Sequence, residues 1–165
     1  NRRAHWHREL NMLRLSKRTL YVLEAVLDIA CNARPNPVQS RDIAERQGIP
    51  QRYLEGAMQH LVRAGILRGV RGPKGGYRLA RERRRITVAE IVRLMEGLDG
   101  HDEDLAELAG SPLGQAVVRP LWQELHDDML ARLEGGSGED LFRQARQAGV
   151  ADAANPGKQG ADFDI

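Results

Sequence analysis

The segment LSKRTLYVLEAVLDIACNA, residues 15–33, is the first region of regular hydrophobic spacing. Its apolar residues recur every three or four positions, which is the spacing of one helix face. Ser16 is a residue type that commonly caps helix N-termini, so the helix is predicted to begin there. The segment RPNP at 34–37 then predicts a loop. The apolar face consists of Leu20, Leu23, Val26, Leu27 and Ala30.

Two shorter amphipathic segments follow, separated by a tight turn. SRDIAERQG predicts a short helix capped by Ser40 and ended by Gly48, because glycine readily adopts the left-handed conformation that ends helices. QRYLEGAMQHLVRAG predicts a second helix, ended by Gly65. Two short helices around a tight turn form a helix-turn-helix. The apolar stripe of the second helix is Leu54, Met58, Leu61 and Val62.

Apolar and polar residues then alternate with the period of a β-strand. ILRGVRG alternates before the glycine-rich RGPKGGY, and GYRLA alternates after it. Two short strands around a glycine turn predict a β-hairpin. A helix-turn-helix followed by a hairpin has the element order of a winged helix. In that fold the second helix enters the major groove and the wing contacts the neighbouring backbone or minor groove.

Helical spacing returns in the C-terminal half. ITVAEIVRLMEG predicts a helix with a capping box from Thr87 to Glu90 and a stop at Gly97. A long helix is predicted over residues 112–134, where Pro120 either kinks the helix or marks its true start. EDLFRQARQAG predicts a final short helix.

The long helix carries an apolar residue at every fourth position, which is more apolar surface than one small domain covers. An uncovered stripe favours a partner helix, so a homodimer is predicted. The predicted fold class is mainly α with a small β-hairpin: a winged helix-turn-helix plus a long C-terminal dimerisation helix. The predicted dimer residues are Leu121, Leu125, Met129 and Leu133.

Charge divides the chain into two halves. Residues 12–97 hold 17 Lys/Arg against 8 Asp/Glu, a net charge of +9, whereas residues 98–165 hold 5 against 14, a net charge of −9. The front half is therefore expected to meet a polyanion. The hydrophobic fraction of 41% suffices for a core, and no apolar run reaches the ~18 residues of a membrane span. A cytoplasmic protein without membrane contact is expected.

Chemistry-bearing motifs are scarce. The sequence has no nucleophile elbow and no phosphate-binding glycine fingerprint opening a helix, so no enzymatic activity and no catalytic residue are predicted. The single cysteine, Cys31, is either a small buried hydrophobe or a redox-reactive thiol activated by a cation such as Arg34. The clusters at 101–104 and 126–128 offer imidazole and carboxylate ligands, but acidic loops are usually solvated, and no metal site is predicted.

Four stretches together carry a family resemblance over about residues 12–98. They are LRLSKRTLYVLEAVLDIA, DIAERQGIPQRYLEGAMQHLVRAGIL, RGVRGPKGGYRLA and ITVAEIVRLMEG, and they resemble the Rrf2 family of bacterial winged-helix regulators. That family includes regulators of iron–sulfur assembly, nitric-oxide sensing and cysteine metabolism. The resemblance implies a sequence-specific transcriptional regulator, and a repressor in particular, that binds a dyad-symmetric operator in double-stranded DNA as a homodimer.

The resemblance also implies DNA-reading positions. Arg52 suits guanine or phosphate and Glu55 suits a cytosine amino group, although a lone charged residue on a helix is more commonly just solvated. Gly56 stands where many members carry glutamine, which removes a base contact. The arginine run at 81–85 either contacts phosphate or is solvated. The implied positions are Gln51, Arg52, Glu55 and Gly56 in the helix, and Arg71, Gly72 and Lys74 in the wing.

Sensing members of the family hold an iron–sulfur cluster through three cysteines between the wing domain and the dimer helix. The matching stretch here has no cysteine, and Ala116 and Arg119 stand near the positions of a cysteine and a histidine ligand. The missing thiolates therefore indicate a regulator without a cluster or other cofactor, whose signal is either oxidation of Cys31 or a small molecule or protein bound by the acidic C-terminal half. The alternative is an interaction module that binds a partner enzyme through the winged helix and the C-terminal segment.

These observations divide the chain into five parts. Residues 1–11 form a basic extension, either native or left from cloning, before the winged helix-turn-helix domain at 12–98. An acidic loop follows at 99–111, in the position of the family's cluster loop. The dimerisation helix covers 112–134, and residues 135–165 form a C-terminal segment that ends in a flexible tail.

Overall fold

The computed structural model describes residues 16–99 and 110–151 of the 165-residue chain. For these residues the predicted fold class is confirmed: the chain is mainly helical and has an antiparallel β-hairpin after a helix-turn-helix. The elements are α1 (Lys17–Asn32), α2 (Ser40–Gln47), α3 (Gln51–Arg63), β1 (Leu67–Val70), β2 (Gly76–Leu79), a 3-10 turn (Arg83–Arg85), α4 (Val88–Asp99), a π-helical segment (Gly114–Val118), α5 (Arg119–Glu134) and α6 (Gly138–Gln147).

The described residues form two compact units. The winged-helix unit contains residues 24–86 and 137–151, which are the second part of α1, α2, α3, the hairpin and α6. The helical unit contains residues 16–23, 87–99 and 110–136, which are the start of α1, α4, the π-helical segment and α5.

Regularly spaced apolar side chains are buried in the winged-helix unit, where α2 packs on α3 and α3 packs on β1. The predicted stripe of α3 is confirmed except at one position. Val62 is 36% exposed, because it follows Leu61 by one residue and so lies about 100° around the helix. The fully buried side chains of this unit include Ile29, Ile43, Leu54, Met58, Leu61, Ile66 and Leu67.

Polar bridges join α4 and α5 within the helical unit. Arg93 Nη1 lies 2.8 Å from Glu134 Oε2. His126 Nε2 lies 2.9 Å from both carboxylate oxygens of Glu96, and both side chains are largely buried. The buried apolar residues of the unit are Val22, Ala89, Ile91, Val92, Met95 and Leu130.

Three local signals for helix ends are confirmed. The Ser16 hydroxyl accepts a hydrogen bond from the Thr19 N–H at 3.2 Å, which caps α1. The Thr87 hydroxyl accepts from the Glu90 N–H at 3.1 Å, which forms one half of the predicted capping box. Gly48 ends α2 with a φ of 64°, in the left-handed region that glycine adopts without strain.

Two other predicted helix ends are wrong. Ser40 is the first helical residue of α2 rather than its cap, and Gln39 holds the cap position without a side-chain hydrogen bond. Gly97 does not stop α4, which continues to Asp99. A glycine with ordinary helical dihedral angles weakens a helix without ending it, so composition alone misplaced this end.

Pro120 lies in the first turn of α5, but the chain is already helical from residue 112, so the proline marks a change of helix type rather than the start of the helix. Proline has no backbone N–H, so Pro120 donates no hydrogen bond to a carbonyl of the preceding helical turn. The preceding residues, Gly114–Val118, continue the chain as a π-helical segment. The long C-terminal helix is therefore helical from residue 112, but its backbone geometry changes immediately before the proline.

Several predictions concern residues outside the described ranges. They include the basic extension at 1–11, most of the acidic loop, at 100–109, and nearly all of the tail, at 152–165. Within the described ranges, none of the helices combines the length and the apolar character needed to span a membrane.

Candidate nucleic-acid interface

α3 has a buried apolar face and an exposed polar face. Leu54 and Ala57 are buried in the winged-helix unit. On the opposite side, Gln51 Nε2 donates to Glu55 Oε1 at 3.3 Å. The four helix positions that the sequence assigned to DNA reading therefore share one exposed face. That face carries Gln51, Arg52, Glu55, Gly56 and Gln59.

A buried carboxylate ties the helix-turn-helix to α1. Asp28 is 3% exposed and accepts a forked pair of hydrogen bonds from Arg46, at 2.9 Å from Nε and 2.7 Å from Nη2. Gln47 Nε2 donates to the same carboxylate at 2.8 Å. The hydrogen bond to Asp28 is the main cause that raises the pKa of Arg46 above its usual value. The end of α2 is therefore held against α1 by a paired buried charge.

Sequence reasoning missed the bond between Asp28 and Arg46. The available signal was an aspartate within the buried part of an otherwise apolar helix, since Asp28 stands between Leu27 and Ile29. A buried carboxylate needs a partner, and that rule would have predicted a cation nearby. It would not have identified Arg46 among the many arginines of the chain.

The wing is a short antiparallel hairpin with four residues in each strand, and Val70 pairs with Gly76 at its outer end. At the tip, the Gly75 N–H donates to the Gly72 carbonyl oxygen at 2.9 Å. Gly72 has a φ of 110°, and a Cβ on Gly75 would lie 2.3 Å from the Val70 carbonyl oxygen. Glycine is therefore required at both positions by the geometry of the turn.

The wing is attached to the loop between α1 and α2. Tyr77 on β2 and Val38 exchange two backbone hydrogen bonds, of 2.7 and 3.0 Å. A Cβ on the neighbouring Gly76 would lie 2.4 Å from the Val38 carbonyl oxygen, so only glycine allows this approach. Arg78 adds a hydrogen bond to the Ala33 carbonyl oxygen at 3.0 Å. These contacts fix the direction of the hairpin.

Positive charge is concentrated on α3, the wing and the turn that follows. Residues 51–85 hold ten Lys/Arg against two Asp/Glu. Such a concentration of cations creates a surface potential that attracts phosphate. The wing residues assigned to DNA contact, at positions 71, 72 and 74, are all exposed at the tip. The exposed cations of this surface include Arg52, Arg63, Arg68, Arg71, Lys74, Arg84 and Arg85.

Two arginines of the run that follows the wing make contacts that stabilise the fold. Arg81 donates to the Gly65 carbonyl oxygen at 3.0 Å. Arg83 pairs with Glu139 at 3.0 Å, and its guanidinium carbon lies 3.6 Å from the centre of the Phe142 ring. α6 is therefore bound to the turn that follows the wing. The last two arginines of the run are exposed.

The residues predicted to form a dimer lie on α5, in the helical unit. Met129 and Leu133 are half-buried, so the uncovered apolar surface lies nearer the start of the helical segment than the sequence indicated. Its residues keep the four-residue spacing and include two of the predicted set and two positions upstream of it. They are Leu113 (69% exposed), Val117 (56%), Leu121 (54%) and Leu125 (44%).

The candidate redox residue and the described candidate metal ligands lie on different helices. Cys31 is half-buried near the end of α1. His126, from the cluster at 126–128, is hydrogen-bonded to Glu96. Across residues 16–99 and 110–151, no group of three or more His, Cys, Asp or Glu side chains could hold a metal ion. The cluster at 101–104 lies outside these ranges.

Comparison with known proteins points to a family of regulators. The family described as Rrf2, iron-dependent transcriptional regulator, matches residues 15–144. The HTH-type transcriptional regulator IscR of Xenorhabdus nematophila is 32% identical over 151 residues, which cover 89% of this chain and 90% of that protein.

Solved structures agree with this result. IscR of T. potens matches with a TM-score of 0.67 at 32% identity, covering 82% of this chain and 90% of that one. The global cysteine regulator CymR of B. subtilis matches with a TM-score of 0.62 at 25% identity, covering 80% and 98%. These relatives are transcriptional regulators and not enzymes.

The family description names iron, but the residues of this chain do not fit a thiolate-held iron–sulfur cluster. Such clusters are usually held by several cysteine thiolates, and the whole sequence contains one cysteine. Cys31 lies on α1 of the winged-helix unit, and the described residues around it supply no further set of metal ligands.

Proposed function

The chain belongs to the Rrf2 family of DNA-binding transcriptional regulators, and we propose that it is a cluster-free repressor that binds a dyad-symmetric operator as a homodimer. The observation that carries the proposal is the exposed cationic surface formed by α3 and the wing. Residues 51–85 contain most of the cations of the winged-helix unit and only two acidic residues. A double-stranded polyanion is the partner that this chemistry fits.

We propose that α3 and the wing contact different parts of DNA. α3 enters the major groove, where Arg52 pairs with guanine and Glu55 accepts from a cytosine amino group. Arg71 and Lys74 of the wing contact phosphate, which fixes the register of the protein on DNA without reading bases. The backbone at Gly72 supports this role, because a glycine tip can approach the phosphate closely.

We propose that the dimer forms through the apolar residues at 113–125 together with Met129 and Leu133. Large exposed aliphatic side chains at regular helical spacing favour contact with a second copy of the same surface. A two-fold dimer would present two copies of α3, which requires an operator with matching symmetry. Repression follows where the operator overlaps the binding site of another protein, since a bound dimer excludes that protein from the same DNA.

The signal in this proposal is a small molecule or a partner protein rather than a cluster. The donor set of the chain supports this choice, because one cysteine cannot supply the usual ligands. The alternative, an interaction module that docks an enzyme through α6, has weaker support. Phe142, the aromatic anchor such docking would need, is stacked against Arg83 of the same chain.

In vitro selection from a pool of random duplexes of about 30 base pairs tests the proposal, since two half-sites one helical turn apart fit within this length. The full chain should enrich one sequence with two-fold symmetry. Its affinity for random duplex should fall steeply and linearly on a logarithmic salt scale. A reporter promoter that carries the enriched sequence should be silenced by the protein. Absence of both enrichment and salt-dependent binding would favour the interaction module instead.

A further inference from the structure

Most glycines of the winged-helix unit occupy positions where the fold requires glycine. Nine of its glycines lie in the described residues, and for seven of them either the backbone angle or a neighbouring atom requires glycine. Gly48, Gly65, Gly72, Gly76 and Gly149 have positive φ values, and a Cβ on Gly75 or Gly138 would lie within 3.0 Å of a carbonyl oxygen.

At the other two positions, Gly56 and Gly69, the fold does not require glycine. Neither has a positive φ, and a Cβ built on either would meet no atom within 4 Å. Gly56 lies inside α3 and Gly69 inside β1 of the wing. Both elements belong to the surface that the proposed function places against DNA. Within a strand, glycine often marks a site where another backbone or a ligand approaches closely.

Gly56 is unfavourable for the isolated protein. Glycine in a helix interior loses more conformational entropy on folding than alanine, and nothing in the fold here repays that loss. Its helical neighbours Arg52 and Gln59 carry exposed polar side chains that could reach base edges. Without a side chain at position 56, the backbone of the helix can come closer to a surface that these two side chains contact.

We propose that Gly56 is a specificity-determining residue: it lets the backbone of α3 lie directly against the floor of the major groove. This inference rests on the proposed DNA-binding function. The missing side chain permits the flanking Arg52 and Gln59 to reach deeper than a helix with a Cβ at position 56 would allow. Base pairs that project bulk into this space, such as a thymine methyl group in the wrong position, are then excluded sterically.

The test is the pair of variants Gly56→Ala and Gly97→Ala in the full chain. Gly97 is the matched control, because it is also a helical glycine at which an added Cβ would meet no atom within 4 Å, but it lies in α4 of the helical unit. Each variant should raise Tm by roughly 2–4 °C, as expected for a helix-interior glycine replaced by alanine in a chain of this size.

Affinity separates the two variants. On the duplex enriched by the wild-type protein, Gly56→Ala should bind about ten- to a hundred-fold more weakly, the loss expected for one or two base contacts. Its affinity for random duplex should change little, and Gly97→Ala should bind both duplexes like the wild type. Gly56→Leu should lose more affinity than Gly56→Ala, because a larger side chain separates the helix further from the groove.

Two outcomes would overturn the inference. One is a Gly56→Ala variant that is more stable and binds the enriched duplex as tightly as the wild type. The other is a variant of lower stability, which would mean that the space at position 56 is not open in the folded chain. A wild-type protein that enriches no duplex would instead overturn the proposed function itself, and the inference with it. The wild-type selection therefore distinguishes the two failures.

Discussion

α3 and α5 each leave one face exposed, but the two faces differ in chemistry. The exposed face of α3 carries an amide, a guanidinium, a carboxylate and a bare glycine, whereas the exposed face of the α5 region carries leucine and valine. A polar face loses little by remaining in water and is available to a charged ligand. An aliphatic face of this size is unfavourable in water, which favours burial against a second copy of the chain.

The contacts that hold α3 and α5 in place also differ. α3 belongs to a unit in which a buried forked ion pair, a backbone bridge to the wing and the docked α6 fix its surroundings. The exposed apolar face begins at Leu113, directly before the π-helical segment, and continues through that segment into α5, which packs on α4. The comparison indicates that the exposed face of α3 is preorganised within one chain, whereas we propose that a second copy of the chain covers the apolar face.

The largest expected effect comes from breaking the apolar face. Leu121→Glu with Leu125→Glu places two charges where we propose that two helices meet, and burying them unpaired would be very unfavourable. Light scattering should show a monomer. Affinity for the enriched duplex should fall about a hundred- to ten-thousand-fold, because the second half-site no longer adds its contribution.

Gln123→Glu is the control for this variant, because it adds a charge on the opposite side of α5, where the native side chain is exposed and polar. It should remain dimeric. A double glutamate variant that is still dimeric by light scattering would show that the proposed dimer surface is wrong.

The next effect concerns the support behind α3. Arg46→Ala leaves the buried Asp28 carboxylate without its main partner, so the free energy of unfolding should fall by about 3–5 kcal/mol. Urea unfolding at a single protein concentration measures this loss. Arg41→Ala, at an exposed position of the same helix, should change stability by less than about 0.5 kcal/mol. Equal losses in the two variants would mean that the ion pair does not fix α2.

A smaller effect is expected within the proposed DNA-binding surface, where the wing and α3 should behave differently. Arg71→Ala and Lys74→Ala should each weaken binding to enriched and random duplexes alike, by roughly tenfold, and reduce the salt slope by about one. Arg52→Ala and Glu55→Ala should instead change which sequence is enriched. The control is Arg143→Ala on α6, an exposed cation outside this surface. Identical losses for all four variants on both duplexes would contradict the division between wing and helix.

The smallest effect is the pH dependence of α6. The Ser137 N–H and hydroxyl donate to Asp140, and these bonds, led by the backbone one, lower the pKa of that carboxyl. A lowered pKa means that the charged form stabilises the fold above the unfolded pKa of about 3.9. This contribution is lost as the pH falls through the lower folded value. Asp140→Asn should make the urea midpoint less sensitive to acid, and an unchanged acid response would contradict the cap assignment.

Local chemistry in the sequence determined the winged helix. Apolar spacings of three to four residues identified the helices, alternation identified β1 and β2, and glycines marked the end of α2 and the tip of the wing. These features depend on residues a few positions apart, so a linear reading contains the necessary information. The same reading misplaced the end of α4 at Gly97, because packing outweighs the small preference of one residue.

Only the tertiary structure decided which polar groups serve the fold and which face the solvent. Asp28 and Arg46 are 18 positions apart, and Arg83 and Glu139 are 56 apart, so neither pairing follows from spacing along the chain. Spacing along the chain likewise does not reveal which part of the apolar stripe stays exposed or that the space beside Gly56 is open. Burial and free volume depend on every element that surrounds a position, and that arrangement exists only once the chain has folded.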